Sequence, residues 1–403
     1  MTVTGFGVPR PASGLDAEVV ARVDGFADVW RERAAVAERD RVLPAESIAE
    51  LASAGLLEIV APAGFGGLGR DWPTLAEAAR RAARSCASTG WIIGVVGAHA
   101  ALAGRLSPDA AEELFATPGP RLFATASVAA GGRITEADGG VRLSGRWRFS
   151  SGVDHAGWIV VHGPDPAGGA ESGRRLLVPV DRDLVTVQDD WHVSGMAGTG
   201  SRSILLDEVF IPRSRLTPFN ACFDGRGHDG PADRHYLEEA PLHPYLTTTA
   251  VGPILGCAEG ALSAVTASLS QPGGASPRPA ARPLAQDRLA ESSADIACAQ
   301  HLFVALCSTL HTAGVQRRGL SPQERATVHR DRAHLARLCV RSVGRLVELL
   351  GTAGHFTAHT LSRHWRDLQF MAAHRDVNWE RAAANYTAVL LGGGRAPAGS
   401  PDV

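Results

Sequence analysis

The stretch Trp191–Pro212, WHVSGMAGTGSRSILLDEVFIP, constrains the fold more than any other part of the chain. It passes from an aromatic into a glycine-rich turn, Gly195-Met196-Ala197-Gly198-Thr199-Gly200-Ser201, and then into an apolar strand, Ser203-Ile204-Leu205-Leu206. It closes on Asp207-Glu208-Val209-Phe210-Ile211-Pro212. Glycines let the backbone approach a flat ligand or a neighbouring element, because no Cβ intervenes. A strand directly after such a turn orders it. The fold must therefore include a β-element that presents this turn.

The sequence on either side is helical in texture. Val19, Val20, Val23, Phe26 and Trp30 recur at helical spacing and predict one helix over Leu15–Asp40. Pro44-Ala45-Glu46-Ser47 opens a second helix, which Gly55 ends. Asp71-Trp72-Pro73-Thr74 opens a third, Trp91 to Leu102 form a fourth, apolar one, and Ser107-Pro108 starts a short last one. Near Pro118 the pattern changes. Leu122–Ala126, Gly140–Leu143, Trp158–Val161 and Arg175–Val178 are short β-like runs, with a hairpin signal at Asp138-Gly139. The β-region ends near Arg215, and a polar loop follows from Asp224 to His243. From Thr247 to Leu391 the pattern is helical again, broken by the Pro- and Gly-rich Gln271–Pro283. The expected division is a helical domain over 1–118, a β domain over 119–222 and a second helical domain over 223–403.

Composition excludes several classes. Apolar residues make up 45%, enough for a large core. A net charge of −2 provides no basic field for nucleic acid. The six cysteines form no CxxC pair, which argues against a zinc ribbon or a thioredoxin-type site and for reduced thiols in a cytoplasmic protein. The N-terminus does not read as a signal peptide, and no run of about 18 apolar residues suggests a membrane span. His355 and His359 have helical spacing, but nothing completes a metal site. Arg80, Arg81 and Arg84 read as a solvated helix face or a subunit contact.

Four motifs carry chemistry. Gly64-Phe65-Gly66-Gly67-Leu68-Gly69 lacks the strand-then-helix setting of a dinucleotide fingerprint and reads as a turn between helices. In Arg146-Trp147-Arg148-Phe149-Ser150-Ser151-Gly152 an aromatic pair precedes two hydroxyls, which suits the faces and polar edge of a heteroaromatic ring. The alternative is a strand that ends in an ordinary Ser-Ser-Gly turn. His99 lies on the apolar helix, either as a satisfied core residue or facing a ligand. Gly351-Thr352-Ala353-Gly354 precedes His364-Trp365-Arg366-Asp367 and His374, with the last motif placed early on the final helix.

In their order along the chain these motifs resemble the acyl-CoA dehydrogenase fold. Within it they resemble the group D, two-component, reduced-flavin-dependent flavoprotein monooxygenases. The resemblance runs through Pro62–Gly67, Cys86-Ala87-Ser88-Thr89-Gly90-Trp91, Trp147–Trp158, Trp191–Ser201 and Trp365–His374. It implies an α+β architecture with an N-terminal helical domain, a central β-barrel-like domain and a C-terminal four-helix bundle, in a homotetramer. It also implies FMNH2 or FADH2 from a separate NAD(P)H:flavin reductase, and O2. The reaction implied is hydroxylation of an aromatic or phenolic small molecule, such as a polyketide in antibiotic biosynthesis, through a flavin C4a-hydroperoxide. Ser151 would lie near flavin N5, His374 near C4a, and His99 against the substrate as its base. Thr125, Ser127, Trp147, Phe149, Ser150, Gly351, Thr352 and Arg366 would surround the cofactor. Trp91, His155, Trp191, Met196 and the Asp224–His243 loop would line or cover the substrate.

The same scaffold serves N-oxygenases of amines and amino sugars, and acyl-thioester dehydrogenases. Many of the dehydrogenases carry a Glu base eight residues after the Arg-Asp pair. That position here is Arg375, and a cation cannot act as the base.

Overall fold

The computed structural model describes residues 13–126, 128–168, 173–224, 234–270 and 283–392. Ser127 and much of the Asp224–His243 loop lie outside the described residues.

Asp16 caps α1 (Ala17–Asp24) by accepting the backbone N–H groups of Glu18 and Val19. α2 (Ala27–Asp40) begins only after Gly25, so the single helix expected over Leu15–Asp40 is two. α3 (Ala45–Ser53) and α4 (Trp72–Ala83) follow. The expected apolar helix is interrupted. α5 (Ala87–Trp91) runs into a π-turn, Ile92–Val96, where the Gly97 N–H reaches Ile92 O at 2.9 Å, and then into α6 (His99–Ala103). The wide turn inserts an extra residue and re-aims whatever follows, here His99. α7 (Pro108–Ala116) ends this part.

The strands are β1 (Phe123–Ala126), β2 (Val128–Ala137), β3 (Gly140–Ser150), β4 (Trp158–Pro164), β5 (Arg175–Asp181), β6 (Thr186–Val187), β7 (Arg202–Pro212) and β8 (Thr217–Pro218). They form two four-stranded sheets, ordered β1-β4-β5-β8 and β2-β3-β7-β6. β1 and β4 pair in parallel, and β2 and β3 turn directly at Asp138-Gly139. The β3–β7 register matters most for the site. Trp147 pairs with Ile204, but Ser150 pairs with Arg202, so β3 spends one extra residue there. Such a bulge bends the strand and re-aims a side chain. Phe149 sits in it with φ +65°.

Seven further helices complete the chain: α8 (Phe219–Phe223), α9 (His243–Leu246), α10 (Val251–Ser270), α11 (Pro283–Val315), α12 (Pro322–Leu350), α13 (Thr360–Ala372) and α14 (Trp379–Leu390). α10 is the central one. It packs on α4, α11, α12 and α13 and buries Val251, Ile254, Leu255, Ala258 and Val265. One correction concerns this region. Trp365-Arg366-Asp367 lies midway along α13 and not early on the final helix, because α14 follows. By length and composition His243–Leu269 and Pro283–Val315 could cross a membrane. The first of these is 72% buried within the molecule, as a core helix is.

Of the arginine cluster at the end of α4, read as a solvated face or a subunit contact, Arg80 is turned inward and Arg84 stays exposed, yet both are paired within the chain. Arg80 reaches Glu259 of α10 at 2.5 Å and Glu77 at 2.7 Å, and Arg84 reaches Glu259 at 2.6 Å. All six cysteines are free thiols, five of them buried.

One buried arginine fastens the segment after the β-region. Arg105 is 1% exposed and donates to the carbonyls of Leu237, Cys222 and Ala240 at 2.5–2.8 Å. Arg105→Met would leave these acceptors buried without their donor, at about 1–3 kcal/mol per group. The expected outcome is a stability loss of about 3 kcal/mol or more in urea denaturation. A loss below about 1 kcal/mol would show that the carbonyls find other partners.

Candidate active site

A cavity of about 540 Å³ opens where the π-turn helix, the rim of the sheets, α8–α10 and the end of α13 meet. Small-molecule sites commonly span about 300–1,000 Å³. Trp91, Phe149, Trp191 and Phe370 give it an aromatic wall. Trp191 meets Phe149 and Phe370 edge to face, with centroids 6.2 and 5.5 Å apart.

Ser151, His99 and His374 all line this cavity, although they come from a strand end, a helix and a post-helical turn. Thr125, Phe149, Trp91, Trp191 and Met196 join them. His243, at the end of the expected Asp224–His243 loop, also lines it, whereas Trp147, Ser150, His155, Gly351, Thr352 and Arg366 do not; Ser127 lies outside the described residues. Trp147 is fully buried, with its indole N–H on the His162 carbonyl at 3.3 Å. Residues two apart on a strand normally share a face; the bulge at Phe149 breaks that rule. Ser150 is buried, and its hydroxyl has no partner among the described residues. His155 Nε2–H donates to the Leu43 carbonyl, 2.8 Å away. Gly351 and Thr352 are exposed at the end of α12.

Arg366 has a different task from the expected cofactor contact. With Arg363 it pairs with Glu38 of α2, and it donates to the Ser194 carbonyl at 3.1 Å. Its neighbour Asp367 accepts the Met196 N–H at 2.6 Å. Between them Gly195 passes so close that an added Cβ would lie 2.2 Å from the Arg366 carbonyl oxygen. The Arg-Asp pair on α13 therefore clamps the glycine-rich turn of the β-region. Burial pushes the Asp367 carboxyl up to about 6.

The hydroxyls form a line. The Trp91 indole N–H donates to Ser151 Oγ at 3.2 Å, Ser151 lies 2.7 Å from Ser201 Oγ, and Ser201 lies 2.7 Å from Thr199 Oγ1. Thr199 donates to the Met196 carbonyl at 2.8 Å. The Gly152 N–H on the Thr199 carbonyl, 2.8 Å, holds β3's end against the same turn.

Both histidines are neutral at pH 7. Burial lowers His99 to about 4. Its Nδ1–H donates to the Phe123 carbonyl at 2.8 Å, which leaves Nε2 to accept from Thr125 Oγ1 at 3.2 Å. Burial also lowers His374, partly opposed by Asp376. His374 Nδ1 accepts the Asp376 N–H at 3.3 Å, so the hydrogen resides on Nε2. Its ring meets Trp91 edge to face at 5.7 Å.

Several lining residues escaped the sequence reading: His162, Phe219, Phe223, Phe370, Arg375 and Asp376. Phe370 precedes His374 by four residues, one helical turn, and that spacing could have found it. Phe219 and Phe223 share the same spacing. Nothing local marks His162, whose Nδ1 lies 2.6 Å from Arg175. Among the described residues no group of three or more His, Cys, Asp or Glu could hold a metal.

Residues 17–108 match the acyl-CoA dehydrogenase N-terminal domain, and residues 248–379 match the acyl-CoA dehydrogenase C-terminal domain. The oxygenase component of an FADH2-dependent resorcinol hydroxylase from Rhizobium sp. (strain MTP-10005) is 31% identical over 401 residues, covering 95% of this chain and 97% of that protein. The chain belongs to the flavin-dependent oxygenase components of the acyl-CoA dehydrogenase fold. The oxygenase subunit HsaA of a flavin-dependent monooxygenase from Mycobacterium tuberculosis (strain CDC 1551 / Oshkosh) is 31% identical over 380 residues, covering 90% of this chain and 93% of that protein. The crystal structure of a 3-HSA hydroxylase from Rhodococcus sp. RHA1 superposes with a TM-score of 0.86 at 27% identity, covering 94% of this chain and 98% of that one.

The neutral histidines couple stability to pH. His99, His364 and His329 all have folded values near 4, lowered by burial from 6.5. A depressed imidazole stabilises the fold above its unfolded value, and that stabilisation is lost as pH falls from 6.5 towards 4. Asp367, raised from 3.8 to about 6, acts in the opposite sense over part of this window. His99→Gln removes one contribution. Between pH 7 and 4.5 it is expected to lose about 1–2 kcal/mol less stability than the parent in urea denaturation. An equal or larger loss would contradict a neutral, buried His99.

Proposed function

We propose that this chain is the oxygenase component of a two-component monooxygenase that uses reduced FMN or FAD and O2 to hydroxylate a phenolic or other aromatic ring. The observation that carries this is the convergence of Ser151, His374 and His99 on one aromatic-walled cavity, in a member of this family. Reduced flavin, when bound, would supply the two electrons that activate O2, from which one oxygen atom is transferred to the substrate and the other leaves as water.

The residues present fit such a group. Trp91, Phe149, Trp191 and Phe370 offer faces and edges to a flat tricycle and keep water out, which limits wasteful release of hydrogen peroxide. Ser151 would hold the ring at N5. His374 presents Nε2–H to the cavity at the end of α13, where it can hold or return a proton beside C4a. His99, neutral and oriented by the Phe123 carbonyl, accepts the proton of a substrate hydroxyl through Nε2, directly or through Thr125. Asp376 is the one acid among the described lining residues. It lies 3.6 Å from His374 Nδ1 and 3.7 Å from Arg375 Nε, so its charge is already engaged. That disfavours a dehydrogenase base.

A separate NAD(P)H:flavin reductase supplies the reduced flavin. The protein acts as a homotetramer in the cytoplasm; the exposed apolar residues Leu284, Val315, Phe356 and Leu390 support association between copies. Gly351 and Thr352, exposed and not part of this chain's cavity wall, would then serve at a flavin bound to another copy.

Reduced FAD or FMN, O2 and a panel of phenols including resorcinol test the proposal through hydroxylated product and hydrogen peroxide. The parent is expected to form product from at least one phenol. His374→Ala is expected to lower oxygen consumption itself, whereas His99→Ala should consume oxygen normally and divert it to peroxide. General acid–base groups contribute about 10²–10⁴-fold, so each loss should be resolvable. Normal turnover of His374→Ala, or failure of His99→Ala to consume oxygen, would overturn these roles.

A further inference from the structure

The line of hydroxyls beside the cavity has a direction. Oxygen atoms 2.7–2.8 Å apart need a proton between them. Thr199 Oγ1 lies 2.8 Å from the Met196 carbonyl, which has no proton to give, so Thr199 donates there. Its only proton is then committed, and Ser201, 2.7 Å away, must donate to Thr199. Ser201 in turn can only accept from Ser151, also at 2.7 Å. Ser151 receives the Trp91 indole N–H on one lone pair. A hydroxyl has one proton and two acceptor sites. Ser151 thus faces the cavity with one lone pair and no proton.

We infer that Ser201 and Thr199 are positioning residues that make Ser151 a pure acceptor towards the cavity, so that the site selects a ring N–H over a bare ring nitrogen. The inference rests on the placement of Ser151 at flavin N5. Reduced flavin carries a hydrogen at N5, which Ser151 can accept. Oxidised flavin presents a lone pair there, which would face the Ser151 lone pair. The discrimination between redox states is thereby set by two further residues of the cavity wall, which orient the Ser151 proton through the line of hydroxyls. The far end of the line is fixed as well, because Asp367 holds the Met196 peptide by its N–H at 2.6 Å. Ser201 and Thr199 are 6% and 2% exposed, so bulk water does not reverse the line.

Removing either residue frees the Ser151 proton to swing towards the cavity. The test is equilibrium binding of reduced FAD, held anaerobically, and of oxidised FAD to the full-length protein and its variants. The parent is expected to bind reduced FAD more tightly. In Ser201→Ala and in Thr199→Val the ratio of the two dissociation constants should fall about ten-fold, chiefly through tighter binding of oxidised FAD. Thr199→Ser, which keeps the hydroxyl, should retain the parent's ratio. Ser151→Ala separates the two levels of the argument. If it lowers the ratio while Ser201→Ala and Thr199→Val do not, Ser151 contacts N5 but the line behind it is irrelevant, and the inference falls. If Ser151→Ala leaves the ratio unchanged, the placement of Ser151 at N5 is wrong and the inference falls with it.

Discussion

The contact between Asp367 and the Met196 N–H joins the parts of the molecule that build the cavity. It ties the middle of α13 to the turn between the β-region's Trp191 and β7. On the turn side it fixes Met196, whose carbonyl ends the hydroxyl line from Ser151. On the helix side it sets the start of the final turns of α13, from which Phe370 reaches the cavity and after which His374 does. A carboxylate buried this deeply is costly, and its rise to about 6 reflects that cost. The Arg366–Glu38 pair and the close passage of Gly195 hold the same junction from its flanks.

The cavity behind this clamp is chemically quiet at neutral pH. Its two candidate acid–base groups are neutral imidazoles with assigned tautomers, His99 protonated at Nδ1 and His374 at Nε2. Its hydroxyls point their protons away from the open space. Charge enters only at the end, where Arg375 and Asp376 lie 3.7 Å apart. A site of this kind can hold a reactive redox group dry and engage the substrate proton with one histidine and the oxygen-bearing side with the other. Separation of the two imidazoles on different elements suits two separate proton tasks.

Much of this was legible in the sequence because motif and element coincide. The glycine turn of 195–201, the Ser-Ser-Gly end of β3 and the residues after Trp365 all mark backbone positions that short-range chemistry demands. The alternation of helical and β texture gave the element order for the same reason. What was not legible depends on register. The pairing of Trp147 with Phe149 fails because a bulge adds one residue between Trp147 and Ser150, which no alternation pattern announces. The apolar helix could be seen, but not its π-turn. Arg366 and the α4 arginines looked available because charge reads as exposure. Their partners, Glu38 and Glu259, lie far away in the sequence. His162 enters the cavity only through tertiary packing.

The clamp is the claim on which the rest depends, and substitution of Asp367 addresses it most directly. Asp367→Asn keeps an oxygen to accept the Met196 N–H, whereas Asp367→Leu keeps only the volume. Affinity for reduced FAD, measured anaerobically on variants whose helical content matches the parent's, separates the two. The Asn variant is expected to bind within roughly three-fold of the parent, and the Leu variant about ten-fold or more weakly. Unchanged affinity in Asp367→Leu would contradict the account, because the turn and the helix would then meet correctly without their clamp.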